Sequence, residues 1–221
     1  MEEAKNYNCW ISSLCKEYLF GTILEVGSGI GTFTKEWLEI DNIDYVVALE
    51  IGGNCISELE YRLSHRNNLS IVNQDVCAFN DKYHNYFDAV VSINVLEHIE
   101  EEEKALQNIY LSLKKNGYFV LYLPAFQSLF GRTDQELGHF RRYNRKYLTR
   151  VLSNIGFEVK VMHYVNLIGF FAWFLLKHNQ NSLTQGNIKL YDRTIIPLLR
   201  NIESIIKTPL GQSIFAVSYK Y

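Results

Sequence analysis

Three glycines, Gly27, Gly29 and Gly31, alternate with single residues directly after the run Ile23-Leu24-Glu25-Val26. Lacking a Cβ, they let the backbone turn sharply and approach a ligand closely. About 20 residues on, Glu50 closes a second apolar run, Tyr45-Val-Val-Ala-Leu-Glu50. A carboxylate at that distance from a glycine-rich strand-to-helix turn grips the two ribose hydroxyls of a nucleoside. The first chemistry legible here is therefore the binding of a nucleoside-containing ligand. Backbone N–H groups of the turn would face whatever sits at the strand's carboxyl end.

The glycine spacing narrows that ligand. A dinucleotide fingerprint reads Gly-x-Gly-x-x-Gly, whereas this chain reads Gly27-x-Gly29-x-Gly31 after an acid, Glu25. An oxidoreductase working on a dinucleotide is disfavoured on that ground. Asn94-Val95-Leu96 follows another apolar run, 87–93, and lies where ligands of open α/β sheets sit. His98 comes next, with a side chain that titrates near neutrality. Further on, 131–150 carries a run of cations that includes Arg141 and Arg142, with His139 and Tyr143 beside them. Paired guanidiniums suit a carboxylate or phosphate, which they hold bidentately. The alternative is that the arginines pair with Asp134 and Glu136 and staple their own loop.

Strand and helix patterns alternate along the chain, which argues for a parallel sheet with helices on both faces. Strands are expected at 22–26, 45–49, 69–73, 87–93, 118–123, 157–164 and 213–219. Helices are expected at 8–18, 32–40, 55–65, 104–113 and 147–155, the last capped by Gly156. Lys115-Asn-Gly117 reads as a helix stop and turn. Trp10 lies on the apolar face of the first helix and reads as core.

At 221 residues the chain suits one α/β domain with some decoration, and its 48% apolar content is ordinary for a globular protein. A net charge of −2 gives no global drive towards nucleic acid or an anionic membrane. Cys9, Cys15, Cys55 and Cys77 have no paired metal-type spacing and read as reduced thiols of a cytoplasmic protein; no metal ligands are assigned. The N-terminus lacks the blocks of a signal peptide, and the longest apolar stretch, 165–176, is too short to span a bilayer. Its aromatics read as a helical cap, with an interfacial helix touching lipid or a dimer face as alternatives.

Glu25-Val-Gly-Ser-Gly-Ile-Gly31 resembles the first motif of the class I S-adenosylmethionine-dependent methyltransferases. Phe87-Asp88-Ala-Val-Val-Ser-Ile-Asn94-Val-Leu-Glu97-His98-Ile99 is similar to that family's fourth motif, with Asp88 in a structural role. The resemblance covers about 23–164 plus the last strand. It implies a Rossmann-like seven-stranded, mostly parallel sheet whose last strand is antiparallel, with helices on both faces and a helical cap. A single domain, 1–221, would carry insertions at about 125–146 and 165–212 that form the substrate cap. S-adenosylmethionine is the implied cofactor and S-adenosylhomocysteine the product.

The resemblance also implies site residues. Cofactor contacts fall to Glu25, Gly27, Ser28, Gly29 and Gly31, to Glu50 and Ile51, to Asp75 and Val76 at the adenine, and to Asn94, Val95 and Leu96 beside the methyl group. Tyr7 would fold over the cofactor as a lid. His98 would line the active site or hold its loop through a hydrogen bond. Gly138-His139-Phe-Arg141-Arg142-Tyr143 resembles a Gly-His-x-Arg-Arg-Tyr stretch in a bacterial subgroup of these enzymes, often associated with cell-surface polymer genes.

Transfer would be an in-line displacement in which positioning and desolvation supply most of the rate. A base is needed only if the acceptor must lose a proton, and His98 and His139 are the candidates. Arg141, Arg142 and Tyr143 would bind an anionic or sugar-linked acceptor of small or medium size. Relatives that methylate exocyclic amines of bases carry Asp/Asn-Pro-Pro-Tyr/Phe where this chain has Asn94-Val-Leu-Glu. With no basic-aromatic strip elsewhere, the expected partner is a small-molecule acceptor and no nucleic acid. The alternative function is a sensor or partner subunit that binds S-adenosylmethionine without transferring methyl.

Overall fold

The computed structural model describes residues 4–79, 81–176 and 185–221. The apolar runs become β1 (Gly21–Val26), β2 (Ile43–Glu50), β3 (Leu69–Asn73), β4 (Phe87–Ile93), β5 (Leu113–Pro124), β6 (Glu158–Val165) and β7 (Ser213–Tyr219). They form one sheet in the order β3-β2-β1-β4-β5-β7-β6. Neighbours from β3 through to β5 pair in parallel, and β7 runs antiparallel to both β5 and β6. This is the expected Rossmann-like sheet. The order reverses between β1 and β4, so their carboxyl ends open a crevice.

The helices are α1 (Lys5–Cys15), α2 (Thr34–Trp37), α3 (Gly53–Leu63), α4 (Glu102–Ser112), α5 (Arg132–Glu136), α6 (Arg145–Ile155), α7 (Leu167–Leu176) and α8 (Gln185–Ile205). One sheet face packs on Trp10, Ile11, Trp37, Leu59, Leu63, Ile196 and Leu199, from α1, α2, α3 and α8. The other packs on Leu106, Ile109, Leu148 and Leu152, from α4 and α6. Central strands covered on both faces need apolar residues at successive positions. Ile23, Leu24, Ala89, Val90 and Val91 accordingly have no exposed surface.

Local chemistry sets the element ends. The Asn144 side chain accepts the Tyr147 N–H at 2.9 Å to start α6. Gly156, at φ 113°, ends it in the left-handed conformation. At the far end of the sheet Asp88 accepts the Thr22 N–H at 2.9 Å and the Lys114 ammonium at 2.8 Å, the structural role expected of it.

Two elements depart from the periodicity. The helix expected at 32–40 shortens to α2, because Gly31 at φ 84° keeps the preceding residues in a turn. The turn expected at 115–117 falls inside β5, whose pairing with β4 starts at Phe87↔Leu113 and resumes at Ala89↔Tyr118. Asn116 takes up the extra length at φ 69°.

Of the two segments expected to be insertions, 125–146 follows β5 and 165–212 lies between β6 and β7, with 177–184 outside the described residues. In the first, a 3-10 turn, Gln127–Leu129, precedes α5. In the second, Trp173 of α7 donates its indole N–H to the Leu129 carbonyl at 3.2 Å, and Phe170 packs edge-on to Phe126. Asp192 of α8 ties down α1, accepting the backbone N–H groups of Asn6 and Tyr7 at 3.1 and 2.8 Å. Among the described residues, no helix is long and apolar enough to cross a membrane.

Candidate functional site

The turn after β1 puts three glycines at positive φ: 72° at Gly27, 55° at Gly29 and 84° at Gly31. Their surroundings differ. A Cβ on Gly27 would lie 2.4 Å from a Val95 methyl, and one on Gly31 would lie 2.5 Å from a Leu59 methyl. At Gly29 a Cβ would meet nothing within 4 Å. The outer two glycines thus allow close packing, and the middle one borders open space.

Glu50, at the end of β2, reaches across to this turn. Its Oε2 accepts the Gly29 N–H at 2.7 Å, and its Oε1 accepts the N–H groups of Ile51 and Gly52 at 2.9 and 2.8 Å. Asp75, after β3, accepts the Cys77 N–H at 2.8 Å and caps a 3-10 turn, Val76–Ala78. Asn94, after β4, is left-handed at φ 52°, and its N–H donates to the Tyr122 carbonyl at 2.8 Å.

These strand ends enclose a cleft of about 310 Å³. Gly27, Glu50, Ile51, Asp75, Val76, Asn94, Val95 and His98 line it, as grouped by sequence, together with Val26, Leu49, Gln74 and Ile99. The last four gave no motif signal; only their places at strand ends could have found them. A carboxylate, a polar turn and apolar walls suit a nucleoside-bearing ligand.

Across from the cleft, the segment after β5 folds back on the loop between β4 and α4. The Phe140 N–H donates to the Glu97 carbonyl at 2.7 Å. This brings His139 against His98, ring centroids 4.5 Å apart and edge to face. His139 Nδ1 lies 2.9 Å from Asp134 Oδ1. The Arg142 and His139 partners, together with the Gly131 N–H, hold the Asp134 carboxyl below its ordinary range against the opposing effect of burial. Burial and the neighbouring His139 lower the His98 pKa. Glu97, the residue before His98 and fully buried, is pushed up to about 8 by burial.

Several sequence expectations are corrected by this geometry. Arg142 is 5% exposed and pairs with Asp134 through Nε and Nη2 at 2.8 Å, while its Nη1 reaches the Ala125 carbonyl at 3.3 Å. Arg141 donates to the carbonyls of Ile99 and Glu100 at 2.8 and 2.9 Å and lies 3.2 Å from Glu102. Tyr143, 1% exposed, donates to Glu102 at 2.8 Å. These residues staple the loop, which is the alternative the sequence left open, with Glu102 in place of Glu136. Burying a guanidinium requires a carboxylate partner, and Asp134 and Glu102 supply it.

Glu25 is 4% exposed and accepts the Thr34 hydroxyl at 2.6 Å. It fastens α2 to β1 and does not face the cleft. The Leu96 side chain lies in the core, because the 3-10 turn Leu96–His98 rotates it inward. Ser28 is buried, and its hydroxyl has no hydrogen-bond partner among the described residues. Tyr7 does not line the cleft: its hydroxyl is 2.8 Å from that of Tyr122, and its ring packs on Trp10. Trp10 is core, as expected.

The family model of the methyltransferase domain matches residues 24–121. Over 54 residues the chain is 48% identical to ribosomal RNA small subunit methyltransferase A of Clostridioides difficile, and over 59 residues 36% identical to that of Clostridium botulinum. The first match takes in 24% of this chain and 18% of the relative, the second 27% and 21%. The matches thus span about a fifth of the length of those relatives. They overturn the expectation that nucleic acid is excluded as a partner: the missing Pro-Pro turn rules out one kind of base methylation motif, and these relatives are named for an RNA.

Solved structures with the same fold include a methyltransferase from Archaeoglobus fulgidus described as S-adenosylmethionine-dependent (TM-score 0.62, 18% identity, 96% of this chain and 94% of that one). Another is phosphoethanolamine N-methyltransferase 2 of Haemonchus contortus in complex with S-adenosylmethionine (0.65, 16%, 97% and 52%). A third is the cyclase SpnF (0.66, 17%, 95% and 80%). At such identities the likeness shows the fold, which hosts more than one chemistry.

Proposed function

We propose that this chain, with residues 24–121 matching the methyltransferase domain, is an S-adenosylmethionine-dependent methyltransferase. The observation that carries the reading is Glu50 poised at the glycine turn, its carboxylate 2.7 Å from the Gly29 N–H at the rim of the cleft. The residues present fit the cofactor. Open space at Gly29 leaves room for its backbone to be approached, Glu50 is the acceptor for the ribose hydroxyls, and Asp75 with Val76 borders the place for adenine. When bound, S-adenosylmethionine supplies an electrophilic methyl group on a sulfonium.

The chain's own residues do the rest. Val26, Leu49, Val95 and Ile99 give the cleft its apolar walls. Asn94 and the Val95 backbone fix the turn at the end of β4 where an acceptor must arrive. His98 borders the cleft and touches His139. Asp134, whose carboxyl is held below its ordinary range, lies 2.9 Å from His139 Nδ1 and is an acceptor for a proton there, which leaves Nε2 turned away from it. That pair is placed to take a proton from an acceptor hydroxyl or amine. The segment 125–146 and α7, joined by the Trp173–Leu129 hydrogen bond, are the candidates for the acceptor cap.

The acceptor is small or medium in size. The arginines no longer argue for an anionic or sugar-linked group, since their donors are engaged inside the loop. An RNA acceptor is the second reading, favoured by the local identity to the ribosomal RNA methyltransferases. The test is twofold. Calorimetry should give S-adenosylhomocysteine binding and no NAD binding. Labelled cofactor incubated with a small-molecule extract and with ribosomal RNA should transfer methyl to an acceptor in one of them, and transfer to the extract alone would keep the small acceptor. Transfer only to RNA would move the acceptor to the second reading, and binding without any transfer would favour the sensor.

A further inference from the structure

Glu97 has no exposed surface, and neither of its carboxylate oxygens has a hydrogen-bond partner among the described residues. A buried carboxyl without donors is costly unless it is neutralised or meets a cation. Arg142 is near enough to act on it electrostatically, yet the guanidinium directs its hydrogen bonds to Asp134 and Ala125. Asp134 accepts the hydrogen bonds of that guanidinium, so Glu97 has no hydrogen-bonded cation of its own among the described residues.

Ligand atoms of Glu97, His98 and His139 all lie within 4.8 Å of one another, and His98 is exposed. The histidines are also oriented in the way metal-bound imidazoles usually are. Such a ring gives one N–H to a carboxylate or a backbone carbonyl and ligates through the other nitrogen. His139 meets Asp134 through Nδ1, and His98 rests against the backbone of Leu137 and Gly138.

We propose that Glu97, His98 and His139 form a divalent-cation site at the inner edge of the cleft. Two imidazoles and one carboxylate select a borderline transition-metal ion such as zinc or cobalt over magnesium or calcium, which favour all-oxygen sites. Three protein ligands leave a coordination position open. A role for the ion in holding an acceptor oxygen rests on the methyltransferase reading above and replaces the proton-accepting role of His139, whose Nε2 the ion would occupy; the binding itself does not rest on that reading.

The test uses the full chain after chelator treatment. Co²⁺ is titrated with visible absorption and Zn²⁺ with calorimetry. One ion per chain is expected, with a cobalt spectrum of nitrogen and oxygen ligation. Affinity should fall at least tenfold in His98→Ala, in His139→Ala and in Glu97→Gln. Because Glu97→Gln could disturb folding, the exposed His98→Ala carries the decisive comparison. Zn²⁺ should raise the thermal midpoint of the unmodified chain and not that of His98→Ala. Absence of stoichiometric binding, a thiolate spectrum from the cysteines, or binding unchanged in both histidine variants would overturn the site. S-adenosylhomocysteine calorimetry on the same samples separates the two readings: cofactor binding without metal binding removes this inference alone, and metal binding without cofactor binding removes the proposed function alone.

Discussion

The Glu50 carboxylate bridges to the Gly29 backbone N–H at 2.7 Å across 21 residues of sequence, while its other oxygen holds Ile51 and Gly52 at its own strand end. One side chain therefore shapes the glycine turn and presents an acceptor to the cleft. The relationship exists because β1 and β2 are parallel neighbours, paired from Thr22↔Tyr45 to Val26↔Leu49.

Replacing Glu50 by Ala should remove the ribose contact and loosen the turn together. Charge-assisted hydrogen bonds of this kind contribute roughly 2–3 kcal/mol, so S-adenosylhomocysteine affinity should drop on the order of 30- to 150-fold. Calorimetry at fixed salt reads this directly. Unchanged affinity would remove Glu50 from the cofactor site.

The three glycines should separate by function. Gly29→Val costs about 1–2 kcal/mol of left-handed strain but meets no neighbour. It should fold and lose cofactor binding. Gly31→Val adds a collision with Leu59 and Leu63 behind the turn and should lose markedly more thermal stability. Equal midpoints for the two variants would contradict the packing described.

Arg142 should matter to stability more than to acceptor affinity. Removing one partner of a buried pair costs roughly 3–5 kcal/mol, because the other charge is left uncompensated. Arg142→Ala should lose about that much in urea unfolding. Arg142→Lys keeps the charge without the fork and should fall between. If Arg142→Lys instead raised the acceptor KM at full stability, the arginine would be a substrate contact after all.

Glu25 predicts a pH dependence. Burial pushes its carboxyl from 4.5 up to about 8, with coulombic repulsion from Glu50 adding to the rise and the Thr34 hydroxyl opposing it. The folded chain thus holds this proton more tightly than the unfolded one. Its contribution to stability is complete below about 4.5 and is lost as pH rises through about 8. Glu25→Gln keeps an acceptor for Thr34 without the titration. Between pH 5 and pH 8 the parent should lose roughly 2–4 kcal/mol relative to this variant. Parallel stability curves for the two proteins would show that Glu25 does not titrate as described.

The sequence by itself determined the sheet and the glycine turn with Glu50 beside the cleft. Strand runs such as 69–73, 87–93 and 213–219 coincide with β3, β4 and β7 to the residue, because apolar β-rich runs bounded by turn residues leave few alternatives. Gly27–Gly31 and Glu50 were legible for a related reason: a local turn needs glycine, and a strand-end acid has a fixed place relative to it.

What only the tertiary structure decided concerns charged side chains in the loops. Nothing local distinguishes an arginine that waits for a ligand from one that is paired. Arg142 is satisfied by Asp134, eight positions away, but Arg141 meets Glu102 and the carbonyls of Ile99 and Glu100, about 40 positions away. Glu97 is the converse. Its neighbours in sequence give it no role, and its isolation appears only when the segment after β5 closes over it through the Phe140 N–H. Periodicity reports which residues share a face; which charges meet there depends on chain segments brought together by the fold.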